Sequence, residues 1–127
     1  MRLLLDSHAF IWWDGGSPKI GPAAREVISD PVHQVFVSAA SIWEIAIKRR
    51  LNKIQFSGSL VEAVLANGFI ELPVAAADAE AAGDLDWSHS DPFDRLLAAQ
   101  ARRLSLTLVT ADATLQALPG ISLLRLS

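Results

Sequence analysis

The 127-residue chain contains no cysteine, which excludes a disulfide framework, a thiolate metal site and a cysteine nucleophile. A reducing setting fits that composition, so a cytoplasmic location is expected. Long apolar runs are missing too. The longest stretch free of charged residues, 31–43, is interrupted by Pro31, His33, Gln34, Ser38 and Ser41, whereas a membrane span needs roughly 20 mostly apolar residues. Arg2 lies near the N-terminus, but no apolar stretch ending in a small-residue cleavage site follows it, so neither export nor membrane insertion is expected. Repeats, low-complexity tracts and linker-like segments are absent, and one domain spanning 1–127 is the expectation. Charge of either sign is scarce: eleven Lys and Arg face fourteen Asp and Glu, for a net charge of −3 and a pI near 5.5. This mild acidity argues, taken alone, against a general nucleic-acid coat protein.

Apolar residues, by contrast, are plentiful. They make up 51% of the chain and give a mean hydropathy of +0.31, enough to build a core and too much for disorder. Residues 2–5 read as a buried strand, 7–13 as a short helix ending at Gly15-Gly16, and 22–30 as a helix bracketed by Pro22 and Asp30-Pro31. Val35-Phe36-Val37 is a strand, followed by a helical pattern from Ser38 to about Leu51. Ser59-x-x-Glu62 has capping-box spacing and opens a helix that stops at Asn67-Gly68. A strand over 69–72, an alanine-rich helix over 75–83, and a helix from Pro92 to about Arg103 come next. A strand over 106–109, a short helix over 111–118 and a strand over 121–124 complete the pattern. Strands alternating with helices predict an α/β protein with a parallel sheet covered on both faces.

Four acids fall at equivalent places in that pattern. Asp6 follows the first strand, Asp112 follows the 106–109 strand, Glu44 lies early in the helix after strand 35–37, and Asp94 is in the first turn after Pro92. Strand ends and helix starts share one edge of a parallel sheet, where ligands of open α/β folds bind. Each acid alone has a plainer reading. Asp6 and Asp112 can cap the helices that follow them, Glu44 completes a Ser41-x-x-Glu44 spacing with Ser38 as the competing cap, and Asp94 pairs with Asp91 at a helix start. Four together repel one another, an arrangement that persists chiefly around a cation. All-oxygen donors select a hard ion, Mg²⁺ or Mn²⁺. Such a site suits phosphodiester chemistry, and nothing else in the chain pairs a nucleophile with a base.

The blocks Asp6-Ser7-His8-Ala9-Phe10-Ile11-Trp12-Trp13, Val37-Ser38-Ala39-Ala40-Ser41-Ile42-Trp43-Glu44-Ile45, Asp91-Pro92-Phe93-Asp94-Arg95-Leu96-Leu97-Ala98-Ala99-Gln100-Ala101 and Leu108-Val109-Thr110-Ala111-Asp112 resemble the PIN-domain family. In particular they are similar to the VapC-type toxins of bacterial toxin–antitoxin pairs, over nearly the whole chain and in the family's order. The resemblance implies a three-layer α/β/α sandwich with a central, mostly parallel sheet, and a Mg²⁺- or Mn²⁺-dependent endoribonuclease that hydrolyses RNA by a metal-activated water. It places the acidic quartet on Asp6, Glu44, Asp94 and Asp112. Asp6, Asp94 and Asp112 would be the metal ligands, and Ser7 and Thr110 the supporting hydroxyls. Asp91 is a fifth acid, read first as a helix cap and second as an outer ligand. The implied partners are an RNA substrate, a cognate antitoxin and a second copy of the chain, with a larger toxin–antitoxin assembly as the further form the resemblance allows.

Other residues carry double readings. Lys48, Arg49, Arg50 and Lys53 form either a solvated helix end or a phosphate contact, and helix direction carries them away from the acids. Arg95 either pairs with an acid or touches RNA. Phe10, Trp12 and Trp13 are divided between core and a contact for antitoxin or dimer, Trp43 is expected in the core, and His8 and His89 are given no catalytic role. The competing reading of the whole is a non-catalytic PIN-like binding module whose acids only cap helices. A phosphoryl-accepting receiver would need a lysine after a late strand, and the only lysines are Lys19, Lys48 and Lys53. An aspartyl phosphatase would need a second aspartate at position 8, which is His8.

Overall fold

Three consecutive leucines, Leu3, Leu4 and Leu5, have no solvent exposure. Strand side chains alternate between faces, so such a run needs cover on both sides. These leucines belong to β1 (Arg2–Leu5), the centre of a five-stranded sheet with β2 (Gln34–Ser38), β3 (Ile70–Leu72), β4 (Thr107–Thr110) and β5 (Ser122–Arg125). The order is β3-β2-β1-β4-β5 and every pairing is parallel. These observations come from a computed structural model describing residues 1–127. The expected α/β/α sandwich is the fold observed.

Seven helices cover the sheet: α1 (Ser7–Asp14), α2 (Pro22–Ser29), α3 (Ala39–Arg50), α4 (Leu60–Ala66), α5 (Ala76–Asp84), α6 (Pro92–Arg103) and α7 (Ala113–Gln116). On one face Leu3, Leu5, Val35, Val37 and Val109 pack with Phe10, Ala24, Ile28, Ile45 and Val64 from α1 to α4. On the other, Leu4 and Leu108 pack with Leu97 and Ala101 of α6 and Leu115 of α7. The chain thus winds outward from β1 to β3 on one face, then returns across the sheet on the other to β4 and β5. Right-handed crossovers in opposite directions put their helices on opposite faces. The direction reverses between β1 and β4, which are adjacent. A crevice opens beyond their carboxyl ends.

One open choice is decided and three local details differ from expectation. Ser38, not Ser41, caps α3, its Oγ accepting from the Ala40 amide at 3.1 Å. Only half of the Ser59–Glu62 capping box forms, the Glu62 amide donating to Ser59 Oγ at 3.1 Å. The last helix is four residues long, because Pro119 disfavours helical backbone at Leu118. Trp43 is 61% exposed rather than core. The buried stripe of α3 is Ala40, Ser41, Glu44 and Ile45, and Trp43 projects from the opposite side, edge-on to Phe93 at 5.3 Å.

The pairing of α5 with α6 holds a wholly buried carboxylate. Asp78 accepts from Arg103 Nε at 2.6 Å, from the Ala75 amide at 2.8 Å and from Gln100 Nε2 at 3.4 Å. Burial pushes its carboxyl up, but these hydrogen bonds and the Arg103 charge outweigh it and hold the group below the usual 3.8. A depressed folded-state value stabilises above the unfolded value and is lost as pH falls through the folded one. Arg103→Ala should therefore cost about 1.5–3 kcal/mol at pH 7, with the deficit shrinking below pH 4. Denaturant melts at pH 7 and pH 3 check this; an equal deficit at both would refute the assignment.

Candidate functional site

Asp6 stands at the first position after β1, and its extended backbone makes it the N-cap of α1. Its Oδ1 accepts from the Ala9 amide at 2.8 Å, while Oδ2 accepts from Thr110 Oγ1, the last residue of β4. The same Thr110 oxygen accepts from the Asp112 amide at 2.9 Å. Asp112 in turn caps α7, accepting from the Thr114 amide at 2.8 Å. Thr110 therefore ties the two switch-point acids into one hydrogen-bonded chain. Around them lies a cleft of about 210 Å³ lined by Asp6, His8, Trp12, Ala111 and Asp112.

Glu44 and Asp94 reach this edge from α3 and α6. Glu44 is buried, with Oε1 accepting from Ser7 Oγ and Oε2 from Lys48 Nζ at 2.8 Å. Asp94 is half-buried and its Oδ2 meets His89 Nε2 at 2.7 Å. Asp91 caps α6 with one oxygen, accepting from the Phe93 and Asp94 amides at 2.9 and 3.0 Å. Donor atoms of His89, Asp91 and Asp94 lie within 4.8 Å of one another.

The charges act as a group. Burial, only partly offset by the His89 hydrogen bond, pushes the Asp94 carboxyl up to about 6, and the neighbouring charges of Asp91, Asp112 and Glu44 add to the rise. Burial also raises Asp6 above 3.8 against the bonds from Thr110 and Ala9, with the Asp112 charge pushing the same way. The Glu44 hydrogen bond raises Lys48, helped by the charges of Glu44, Asp91 and Asp94. The structure thus brings Asp6, Glu44, Asp94 and Asp112 within electrostatic reach, with Ser7, Thr110 and Asp91 touching them.

Several other expected positions are corrected. Phe10 has no exposure and is core, stacked near Phe56 and Phe69, so it offers no surface to antitoxin or dimer. Trp12 and Trp13 are half-buried against the core, and Lys19 and Arg25 lie over their rings. Arg95 neither pairs with an acid nor faces solvent freely: its guanidinium donates to five main-chain carbonyls. Arg49 is likewise spent on the carbonyls of Phe56 and Gly58. Lys48 is not carried away from the acids, because its long stem folds back one turn to Glu44. Arg50 is exposed and makes no hydrogen bond. His89, given no role from sequence, contacts Asp94. Its spacing two residues before a helix-capping Asp91 was the available signal.

Carboxylates gathered at one edge, with Asp91 and Asp94 close enough to share one ion and no thiolate present, suit a hard divalent cation such as Mg²⁺ or Mn²⁺. Burial is the main cause of the raised Asp94 and Asp6 carboxyls, and neighbouring acids add to it. The residues present fit such an ion.

The sequence profile of the PIN domain matches residues 3–121. Searches of curated protein sequences find no match. Among solved structures, VapBC2 from Rickettsia felis bound to a promoter DNA fragment superposes with a TM-score of 0.69 at 14% identity, both chains covered in full. DNA-bound VapBC from Salmonella typhimurium gives 0.68 at 17% identity, covering 100% of this chain and 99% of that one. VapC20 from Mycobacterium tuberculosis, a sarcin–ricin loop cleaving toxin, gives 0.59 at 18%, covering 94% and 96%. At these identities the likeness is one of fold.

A carboxyl raised in the folded state stabilises below its unfolded value of 3.8 and loses that contribution as pH rises through about 6. Metal-free Asp94→Asn should therefore be more stable than the parent at pH 7, by on the order of 1 kcal/mol after solvent screening. It should gain nothing at pH 4. Mn²⁺ should raise the parent's melting temperature and raise the variant's less. Thermal melts in chelator and in Mn²⁺ at both pH values decide it, and a variant destabilised at pH 7 without metal would count against mutual repulsion.

Proposed function

The chain belongs to the PIN domain family, and from that premise we propose that it is a metal-dependent endoribonuclease acting as the toxin of a toxin–antitoxin pair. One observation carries the reading: acids from four separate elements converge on the sheet's switch point, and their charges act on one another. Capping accounts for one oxygen each of Asp6, Asp91 and Asp112. It does not account for Glu44, a buried acid in the second turn of α3 with no amide to cap. The alternative, a binding module whose acids only cap helices, therefore does not cover Glu44 or Asp94, neither of which caps a helix.

In this reading Asp6, Asp94 and Asp112 would hold Mg²⁺ or Mn²⁺, with Asp91 beside them. Bound there, the ion supplies charge to neutralise a phosphodiester and to acidify water. Thr110 fixes one oxygen of Asp6 and the Asp112 amide, and the cap bonds fix the rest, so the ligands are set before anything binds. Ser7 and Lys48 hold both oxygens of Glu44, which orients the attacking water and takes up its proton. In-line attack on phosphorus breaks the bond to the 3′-oxygen, which takes a proton from solvent to leave as a 3′-hydroxyl, and a 5′-phosphate remains on the downstream fragment. The 2′-hydroxyl takes no part.

RNA as substrate and an antitoxin as partner are supported by the similarity to toxin–antitoxin complexes and to a toxin that cleaves the sarcin–ricin loop. Trp43 is exposed and, with Ile42 and Leu72, borders a cleft of about 500 Å³ that a protein partner could cover. A second copy of the chain is the other partner proposed. No helix is long and apolar enough to cross a membrane, in keeping with a cytoplasmic role.

The test is direct. Purified chain with Mg²⁺ or Mn²⁺ should cut RNA to fragments bearing 5′-phosphates. Asp6→Asn and Glu44→Gln should each lose about 100-fold or more, beyond what outer-shell changes cost. Both keep shape, and Asn still caps a helix. Fragments ending in 2′,3′-cyclic phosphate would overturn the mechanism, and undiminished cleavage by both variants would overturn the site.

A further inference from the structure

The segment between α5 and α6, residues 85–91, has no regular secondary structure, yet it is tied down at one point. Arg95 Nε donates to the Ala82 carbonyl at 2.9 Å. Nη1 donates to the carbonyls of Trp87 and His89 at 2.7 and 2.9 Å. Nη2 donates to those of Gly83 and Leu85 at 3.2 and 2.8 Å. A guanidinium has five N–H donors in a fixed fork, and all five are used. Two acceptors belong to the last turn of α5, whose carbonyls have no partner within the helix. The remaining three belong to the loop, which therefore folds around the side chain of the residue next to Asp94.

The loop's end product is the placement of His89. Its carbonyl is held by Arg95, its ring sits against Trp87 at 4.8 Å, and its Nε2 meets Asp94 Oδ2 at 2.7 Å. No hydrogen bond engages Asp94 Oδ1. One oxygen of Asp94 is thus fixed by the protein and the other left free.

We propose that Arg95 and His89 are positioning residues for the acidic site: Arg95 gathers the 82–89 carbonyls into a loop that delivers the His89 imidazole to Asp94, locking that carboxylate's orientation for a divalent cation. Such outer contacts set ligand geometry and typically carry 10–100-fold of metal affinity. Arginine is required, since a lysine has the charge but only three donors on one nitrogen and cannot reach five carbonyls. The role rests on the metal reading of the site for its consequence, not for its geometry.

The experiment measures Mn²⁺ affinity by calorimetry and amide hydrogen exchange across residues 82–90. His89→Ala and Arg95→Lys should each weaken Mn²⁺ binding by about tenfold or more. His89→Gln, whose amide donor can replace Nε2–H, should recover most of it. The double variant Arg95→Lys/His89→Ala should be no weaker than His89→Ala, because both act through one contact. Arg95→Lys should also speed exchange in 82–90 without any metal, while His89→Ala leaves the 82–87 portion protected. Additive losses, no rescue by Gln, or unchanged exchange in Arg95→Lys would each overturn the proposal. If the parent itself fails to bind Mn²⁺, the metal reading falls and the exchange data alone judge the clasp.

Discussion

The rest of the molecule is arranged around one electrostatic cost: acids gathered and partly buried at one edge of a sheet, where burial first and neighbouring charges second raise the carboxyls of Asp94 and Asp6. A fold does not hold such a group by accident. The carboxylates are secured by bonds that have nothing to do with one another's charge: amides at helix starts, the Thr110 hydroxyl, the Ser7 hydroxyl, the Lys48 ammonium and the His89 ring. Helix N-termini supply a further favourable field, because their exposed amides carry partial positive charge. The switch point concentrates those termini, since the winding reverses between β1 and β4 and helices start on both sides of the crevice. Topology therefore supplies both the meeting place and much of the charge compensation.

Capping and the proposed ligation, set against each other by the sequence, are compatible. A carboxylate has two oxygens. In Asp6, Asp91 and Asp112 one oxygen takes the helix amide, which fixes the direction of the other. A cap is thus the means by which a short, otherwise mobile side chain is aimed. Glu44 lacks that option because it lies inside α3, and it is the acid that needs two side-chain partners, Ser7 and Lys48. Asp94, also past the cap position, relies on His89. The division follows from helix position alone.

Much of this was legible in the sequence, and the limits have physical causes. The strands and helices follow from apolar runs, prolines and cap residues, which act locally; the leucine run 3–5 marks the central strand because only a strand covered on both faces tolerates it. That the four acids share one edge of the sheet was legible from their spacing after strands. Trp43 was misplaced because residue type predicts burial on average, whereas helix phase decides it here: Glu44 takes an inward position and Trp43 the outward one. Phe10 was misassigned for the mirror reason, one residue in an apolar cluster being wholly inward. Arg95 was read as a charge seeking an acid or a phosphate. Its actual partners are carbonyls, which any residue type supplies and no sequence pattern displays.

The net charge of −3 looks different once the acids have places. Setting Asp6, Glu44, Asp94 and Asp112 aside leaves ten acids against eleven bases, so the remaining surface is close to neutral. The acidity is local to the cleft, where a bound cation would offset part of it and present a positive centre to an approaching phosphate. Nor are all the bases free to meet one. Lys48, Arg49, Arg95 and Arg103 are each committed to internal partners, and two of them, Lys48 and Arg95, hold the acidic site in shape. Basic residues that a charge count would assign to substrate are here part of the machinery that keeps the carboxylates in place. In the proposed function, attraction for a polyanion would then draw on the cation held at the acidic cleft as well as on the remaining surface bases.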